Sequence, residues 1–186
     1  MVQHISNIIT TIRLILAIII IYLFTQTDCI VEVTIIFIIA AISDAFDGWI
    51  ARKLNITTKF GEQFDPIADK VLTLSVFFAF AIEGIIPLWC VVIIAIRDIV
   101  NTIIRFLFLT KKNIPTSFTA KFKTVIQLVF ISAILLIKVG IALGITPQSY
   151  ANIIYSPIIY YCIIIITAIS IWTLVEYIIT FRKAEL

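Results

Sequence analysis

Four aspartates, Asp44, Asp47, Asp65 and Asp69, fall within residues 44–69 of a chain otherwise dominated by apolar runs. An aspartate near hydrocarbon costs about 2.5 to 3.5 kcal/mol on insertion scales, so four cost on the order of 10 kcal/mol unless something offsets them. Asp44 and Asp47 are three residues apart, and Asp65 and Asp69 four apart, so each pair shares one helical face. A short loop from Lys53 to Glu62 that folds two helices back antiparallel would make both pairs converge. Clustered carboxylates do not all stay ionised unaided, and divalent cations remove that repulsion. A donor set made only of carboxylate oxygens favours hard ions, Mg²⁺ or Mn²⁺ ahead of Zn²⁺ or Ca²⁺. Four charges match two such ions, an arrangement suited to phosphoryl-type displacement.

The elements that must position these acids are membrane helices. Of 186 residues, 62% are apolar and 13% charged, against about 45 to 50% and 25% in globular proteins. Apolar runs near residues 8–24, 33–52, 64–83, 86–109, 122–145 and 153–181 each approach the roughly 20 residues that cross a bilayer as helix. Isoleucine dominates them, but the runs are too long for strands and lack alternation, so helix is expected over barrel. The reading is an all-α integral membrane protein, a six-transmembrane-helix bundle forming one domain over residues 1–186. With no soluble domain, chemistry must be built from helix ends, short loops and the bundle interior. Arg13 interrupts the first run and no small-residue cleavage site follows it, so a retained helix is expected there. Cys29, Cys90 and Cys162 are isolated and read as packing or lipid-facing residues, and His4 is the sole histidine.

Charge sets the expected orientation. Arg13, Arg52, Lys53, Lys59, Arg105, Lys111, Lys112, Lys121, Lys123, Arg182 and Lys183 fall at or near span ends facing one side, whereas the other side carries Asp28, Glu32 and Glu83 with Lys138. Both termini and the aspartate segment are therefore expected at the cytoplasmic face of the cell (inner) membrane. Lys53, Lys111, Lys112, Arg182 and Lys183 need no role beyond topology and lipid anchoring. Arg97 does, because it lies some ten residues into the fourth span. A buried arginine there implies a polar cavity or a carboxylate partner.

Around the acids, Ala40, Ala41, Ala45, Gly48, Ala51, Gly61 and Ala68 permit either close helix packing or a ligand lying against backbone at the two glycines. Arg52 serves as an anchor or as a planar fork for a diphosphate. Pro66 after Asp65 fits a helix start with Asp65 as N-cap.

The order Asp44, Asp47, Gly48, Ala51, Arg52, eight residues, Gly61, three residues, Asp65, three residues and Asp69 resembles the signature of the CDP-alcohol phosphotransferases. Further motifs resemble that family's phosphatidylglycerophosphate synthase branch: SNIITTIR with Asn7, Thr10 and Arg13; Arg97-Asp98 with Arg105 eight residues on; and AKFKTVIQ with Lys121, Lys123, Thr124 and Gln127. Ser6 and Ala120 stand where that branch usually has proline and glycine. The resemblance implies a six-helix membrane enzyme, generally a homodimer, that displaces CMP from a CDP-linked lipid. It implies that Asp44, Asp47, Asp65 and Asp69 hold two metal ions, that Asp47, Gly48, Arg52 and Gly61 form the CDP pocket, and that Asp69 doubles as general base. For the branch, CDP-diacylglycerol and sn-glycerol 3-phosphate give phosphatidylglycerophosphate and CMP.

The cations themselves are consistent with a phosphorylated acceptor. Arg97, Arg105, Lys121 and Lys123 exceed what topology requires and are candidate ligands of its dianion. Arg97 and Arg105 differ by about 80° and about 12 Å along a regular helix, so sharing one phosphate needs long reach or helix tilt. Phosphatidylglycerol as acceptor, making a cardiolipin synthase, stays open, as does another acceptor alcohol. A small cation transporter fits poorly, because the acids lie at one level on one side. No nucleic-acid partner is expected.

Overall fold

A computed structural model describes the backbone of residues 2–26, 29–54, 59–108 and 118–185, and the side chains of 11–12, 14–26, 29–43, 70–104, 119 and 122–180. The described residues are helical, with no strand among them. Six long helices, α1 (Val2–Phe24), α2 (Ile30–Leu54), α3 (Lys59–Ile82), α4 (Leu88–Phe108), α5 (Phe118–Ala142) and α7 (Pro157–Glu185), are joined by one short helix, α6 (Ala151–Ile154), that follows a 3₁₀ turn at Gln148–Tyr150. Phe122–Ala142 and Gln148–Thr180 are apolar and long enough to cross a membrane, and Leu14–Phe24, Ile30–Ser43 and Lys70–Ile82 are shorter apolar stretches.

Three boundaries differ from those expected of the sequence. α2 runs to Leu54 and α3 begins at Lys59, so the connection is shorter than Lys53 to Glu62. Apolar content falls there, but Ala51, Arg52, Lys53, Glu62 and Gln63 are good helix formers and carry the helices onward. Asp65 and Pro66 are consequently the seventh and eighth residues of α3, and Asp65 does not cap its start. Proline removes one helical donor, which costs stability without ending this helix. The sixth run, expected as one span over 153–181, is broken at Tyr155–Ser156, where Tyr155 leaves helical geometry at φ −95° and ψ 11°. Pro157 then takes the first position of α7, where a missing N–H costs nothing.

The helices close into a ring, α1 on α3, α3 on α4, α4 on α7, α7 on α5, α5 on α2 and α2 back on α1, and α3 also meets α5 across it. Inside lie Ala17, Ile20, Val33, Phe37, Phe77, Phe80, Ile94, Ile131, Ile134, Leu135 and Ile163. Phe77 and Phe130 bring α3 to α5 with ring centroids 6.2 Å apart. The outer surface is also apolar: Ile15, Ile18, Ile39, Val129, Ile158 and Trp172 are all exposed. Apolar residues facing both inward and outward belong in lipid, since a soluble protein rarely exposes so large a patch.

α3 and α5 stop by the same device. Gly84 (φ +75°) and Gly144 (φ +68°) adopt the left-handed conformation. Ile85 N donates to Phe80 O at 2.9 Å and Gly84 N to Ala81 O at 3.1 Å, while Ile145 N donates to Gly140 O at 2.9 Å and Gly144 N to Ile141 O at 3.0 Å. Both are Schellman ends with proline three residues after the glycine, at Pro87 and Pro147. At this end Lys138 pairs with Glu83 and lies 4.8 Å from the Phe24 ring centroid. A Cβ at Gly84 would meet no atom within 4 Å, so Gly84→Ala bears only the backbone penalty of about 1 to 2 kcal/mol. The variant should lower the thermal midpoint of detergent-purified protein by about 2 to 8 °C. An unchanged midpoint would show that this turn contributes nothing to stability.

Candidate functional site: a buried cationic cluster beside the aspartate segment

Four helices deliver charged or polar side chains to one place inside the ring. α4 contributes Arg97, Asp98, Asn101 and Thr102; α3 contributes Lys70; α5 contributes Lys123; α7 contributes Ser170 and Thr173. Arg97 and Asp98 are each 6% exposed and Lys123 is 2% exposed, so these charges are held by protein and not by water. Buried charge survives only when paired and hydrogen-bonded.

One carboxylate oxygen organises the pairing. Asp98 Oδ1 accepts from Arg97 Nη1 at 2.7 Å and from Lys123 Nζ at 2.8 Å, tying α4 to α5. Arg97 reaches α7 as well, donating from Nη2 to Thr173 Oγ1 at 2.7 Å and from Nε to the Ser170 carbonyl at 3.3 Å. With the Asn101 amide turned so that its oxygen faces the guanidinium, that oxygen accepts from Nη1 and Nη2 at 3.1 Å each. These five contacts match the five N–H groups of an arginine. Lys70 ties α3 to α4, donating to the Asp98 carbonyl at 2.9 Å and to Thr102 Oγ1. Thr102 Oγ1 also donates to the Asp98 carbonyl, at 2.7 Å. One turn further along α7, Glu176 accepts from Thr119 of α5 at 2.5 Å.

Arg97 thus has the carboxylate partner that its depth requires, and that partner is its neighbour in sequence. Arg97 and Lys123 share the single carboxylate of Asp98, so two buried cations meet one counter-charge here, with Lys70 donating to the Asp98 carbonyl beside them. Lys70 directly follows Asp69 in α3, which puts this excess beside the aspartate segment. Such a cluster can attract an anion, and Lys123 has donor capacity beyond its contact with Asp98.

The side chains of Asp44, Asp47, Gly48, Arg52, Gly61, Asp65, Asp69, Arg105 and Lys121 lie outside the described residues. Their backbones place Asp44 and Asp47 on α2, Asp65 and Asp69 on α3, Arg105 on α4 and Lys121 on α5. No group of three or more metal-ligating side chains occurs among the described residues. Lys70, Ser170 and Thr173 are site residues that sequence reasoning misses. Thr167, Ser170 and Thr173 recur every three residues in α7 and are all buried, so a polar stripe in an apolar span is the available signal.

A family model described as CDP-alcohol phosphatidyltransferase matches residues 3–180. A CDP-diacylglycerol--glycerol-3-phosphate 3-phosphatidyltransferase of Rickettsia typhi is 35% identical over 137 residues, covering 72% of this chain and 77% of that protein. A protein of the same name from Bacillus subtilis is 37% identical over 103 residues, 55% of this chain and 53% of its own length. A probable phosphatidylglycerophosphate synthase of Mycobacterium tuberculosis is 39% identical over 101 residues, 54% of this chain and 48% of its own length.

Asp98→Ala would leave two buried cations without their shared counter-charge, a loss expected to cost about 3 to 5 kcal/mol. Equilibrium unfolding of the purified variant measures it. A cost below about 1 kcal/mol would mean that Arg97 and Lys123 are compensated by other groups.

Proposed function

The chain belongs to the CDP-alcohol phosphatidyltransferase family, and on that premise we propose that it transfers a phosphatidyl group from CDP-diacylglycerol to sn-glycerol 3-phosphate, giving phosphatidylglycerophosphate and CMP. The observation that carries this reading is the similarity to the Rickettsia typhi enzyme of that name over 72% of this chain. The cationic cluster beside the aspartate segment supports the acceptor half, because a phosphorylated alcohol needs a positive site that an uncharged one does not.

In this reading Asp44, Asp47, Asp65 and Asp69 hold two divalent cations, Mg²⁺ or Mn²⁺, and the all-carboxylate donor set fits such hard ions. When bound, those ions would neutralise the diphosphate of the donor. Asp47, Gly48, Arg52 and Gly61 form the CDP pocket, where the Arg52 guanidinium offers two parallel N–H groups to a phosphate. Asp69 accepts the proton of the glycerol C1 hydroxyl while its oxygen attacks the β-phosphorus in line; the bond to CMP breaks and CMP departs.

Lys121, Lys123, Arg97 and Arg105 are the proposed acceptor-phosphate residues. Within that set, Lys123 would donate directly from its remaining N–H groups. Arg97, whose N–H groups are matched within the cluster, would act mainly through its charge. Holding both substrates in one geometry supplies much of the rate in such displacements.

The six long helices support a multi-pass protein of six spans over residues 1–186, with both termini and the site at the cytoplasmic face of the cell (inner) membrane. The donor's acyl chains would then extend between helices into the bilayer. A homodimer is the proposed assembly.

Membranes containing the protein, given labelled CDP-diacylglycerol and each acceptor separately, should make phosphatidylglycerophosphate from glycerol 3-phosphate. Product formed instead from phosphatidylglycerol, inositol phosphate or serine would reassign the acceptor. Excess EDTA should stop CMP release, and Asp69→Asn should abolish turnover while the protein still inserts. Ordinary CMP release by that variant would remove Asp69 from the base role.

A further inference from the structure

Gln127 is 3% exposed, and its side-chain Nε2 is buried with no hydrogen-bond partner among the described residues. A buried amide donor left unpaired is destabilising, and such a group in a folded protein calls for an explanation. Gln127 lies four residues beyond Lys123 in α5, on the same helical face and about 6 Å along the axis. Lys123 is the residue whose ammonium meets Asp98 and, through it, Arg97. The next inward-facing positions of α5, Phe130, Ile131, Ile134 and Leu135, belong to the apolar core. Gln127 is therefore the last buried polar residue of α5 between the cationic cluster and the apolar core beneath it.

We propose that Gln127 is a specificity-determining residue for the acceptor, donating its Nε2–H to the non-reacting C2 hydroxyl of glycerol 3-phosphate. This inference rests on the acceptor reading above. With the phosphate at the cationic cluster and the C1 hydroxyl turned to the aspartates, the C2 hydroxyl is the one polar group of the substrate without an assigned partner. It lies a few bonds from the phosphate, a separation comparable to one helical turn of α5. Binding would give the orphan amide its acceptor and the hydroxyl its donor in the same step. A site built this way rejects an analogue lacking the hydroxyl, because the amide is then left unpaired.

The test compares glycerol 3-phosphate with 3-hydroxypropyl phosphate, which keeps the phosphate and the primary hydroxyl and lacks the C2 hydroxyl. Wild type should prefer glycerol 3-phosphate on the order of 10- to 100-fold in kcat/KM. Gln127→Met, similar in volume and without a donor, should shrink that preference to within a few-fold. The loss should fall on KM for glycerol 3-phosphate, with KM for CDP-diacylglycerol unchanged. The thermal midpoint of the variant should be equal to or above wild type, because a buried unpaired amide has been removed.

A wild type indifferent to the two acceptors, or a Gln127→Met variant that keeps the preference, overturns the assignment of Gln127. A lowered midpoint with equal loss on both acceptors also overturns it, since the amide is then structural. If Gln127→Met fails to accumulate, Gln127→Asn, which keeps the amide but shortens its reach, is measured in the same way, and the same results support or overturn the assignment. A wild type that makes no phosphatidylglycerophosphate overturns the acceptor reading itself, and this inference falls with it.

Discussion

The bundle depends on one carboxylate oxygen. Asp98 Oδ1 takes hydrogen bonds from Arg97 and Lys123, its backbone carbonyl takes another from Lys70, and Arg97 continues to Ser170 and Thr173. Four of the six long helices, α3, α4, α5 and α7, are thereby tied at one residue. In lipid the surroundings of a helix are as apolar as its neighbours, so hydrophobicity alone cannot choose which helices touch or in what register. Directional polar contacts make that choice, and a buried ion pair with matched donors allows few alternatives.

This arrangement gives the bundle two unlike ends. At one end Arg97 and Lys123 outnumber the one carboxylate they share, and Lys70, which donates to the Asp98 carbonyl, is adjacent in the chain to Asp69. At the other end Lys138 and Glu83 pair one to one beneath Phe24, beside a cleft of about 280 Å³ also bordered by Ile154 and Tyr155. Between them stand Phe77, Phe80, Phe130, Ile131 and Ile134. A charge excess carries an electrostatic demand that a balanced pair does not, and a proposed reaction between two phosphate-bearing substrates would answer it. The same excess suits a reaction in which anionic groups arrive and depart while the helices stay fixed.

Much of this is legible in the sequence, and the failures are physical. The depth of Arg97 in an apolar run forbids snorkelling, so its need for a partner shows in the sequence. Asp98 does not stand out as that partner, because adjacent helical residues point about 100° apart and do not ordinarily face each other. The long arginine side chain bends across that angle once Ser170, Thr173 and Asn101 hold its other nitrogens. Helix ends drawn where apolar runs stop fall short of Leu54 and Lys59, since helical propensity continues through charged residues. Asp65 before Pro66 carries the local signature of a cap, but α3 has already begun six residues earlier.

By itself the sequence determined the helical class, the apolar surface suited to lipid, and the carboxylates and cations available for chemistry. These follow from composition and from spacing within single segments, which act over one or two helical turns. Only the tertiary structure decided that Lys70, Asp98, Lys123 and Thr173 meet, and that Gln127 ends beneath them with an unmatched donor. Lys70 and Thr173 are more than a hundred residues apart in the chain. Contacts between long side chains on separate helices depend on crossing and register, to which no local pattern is sensitive.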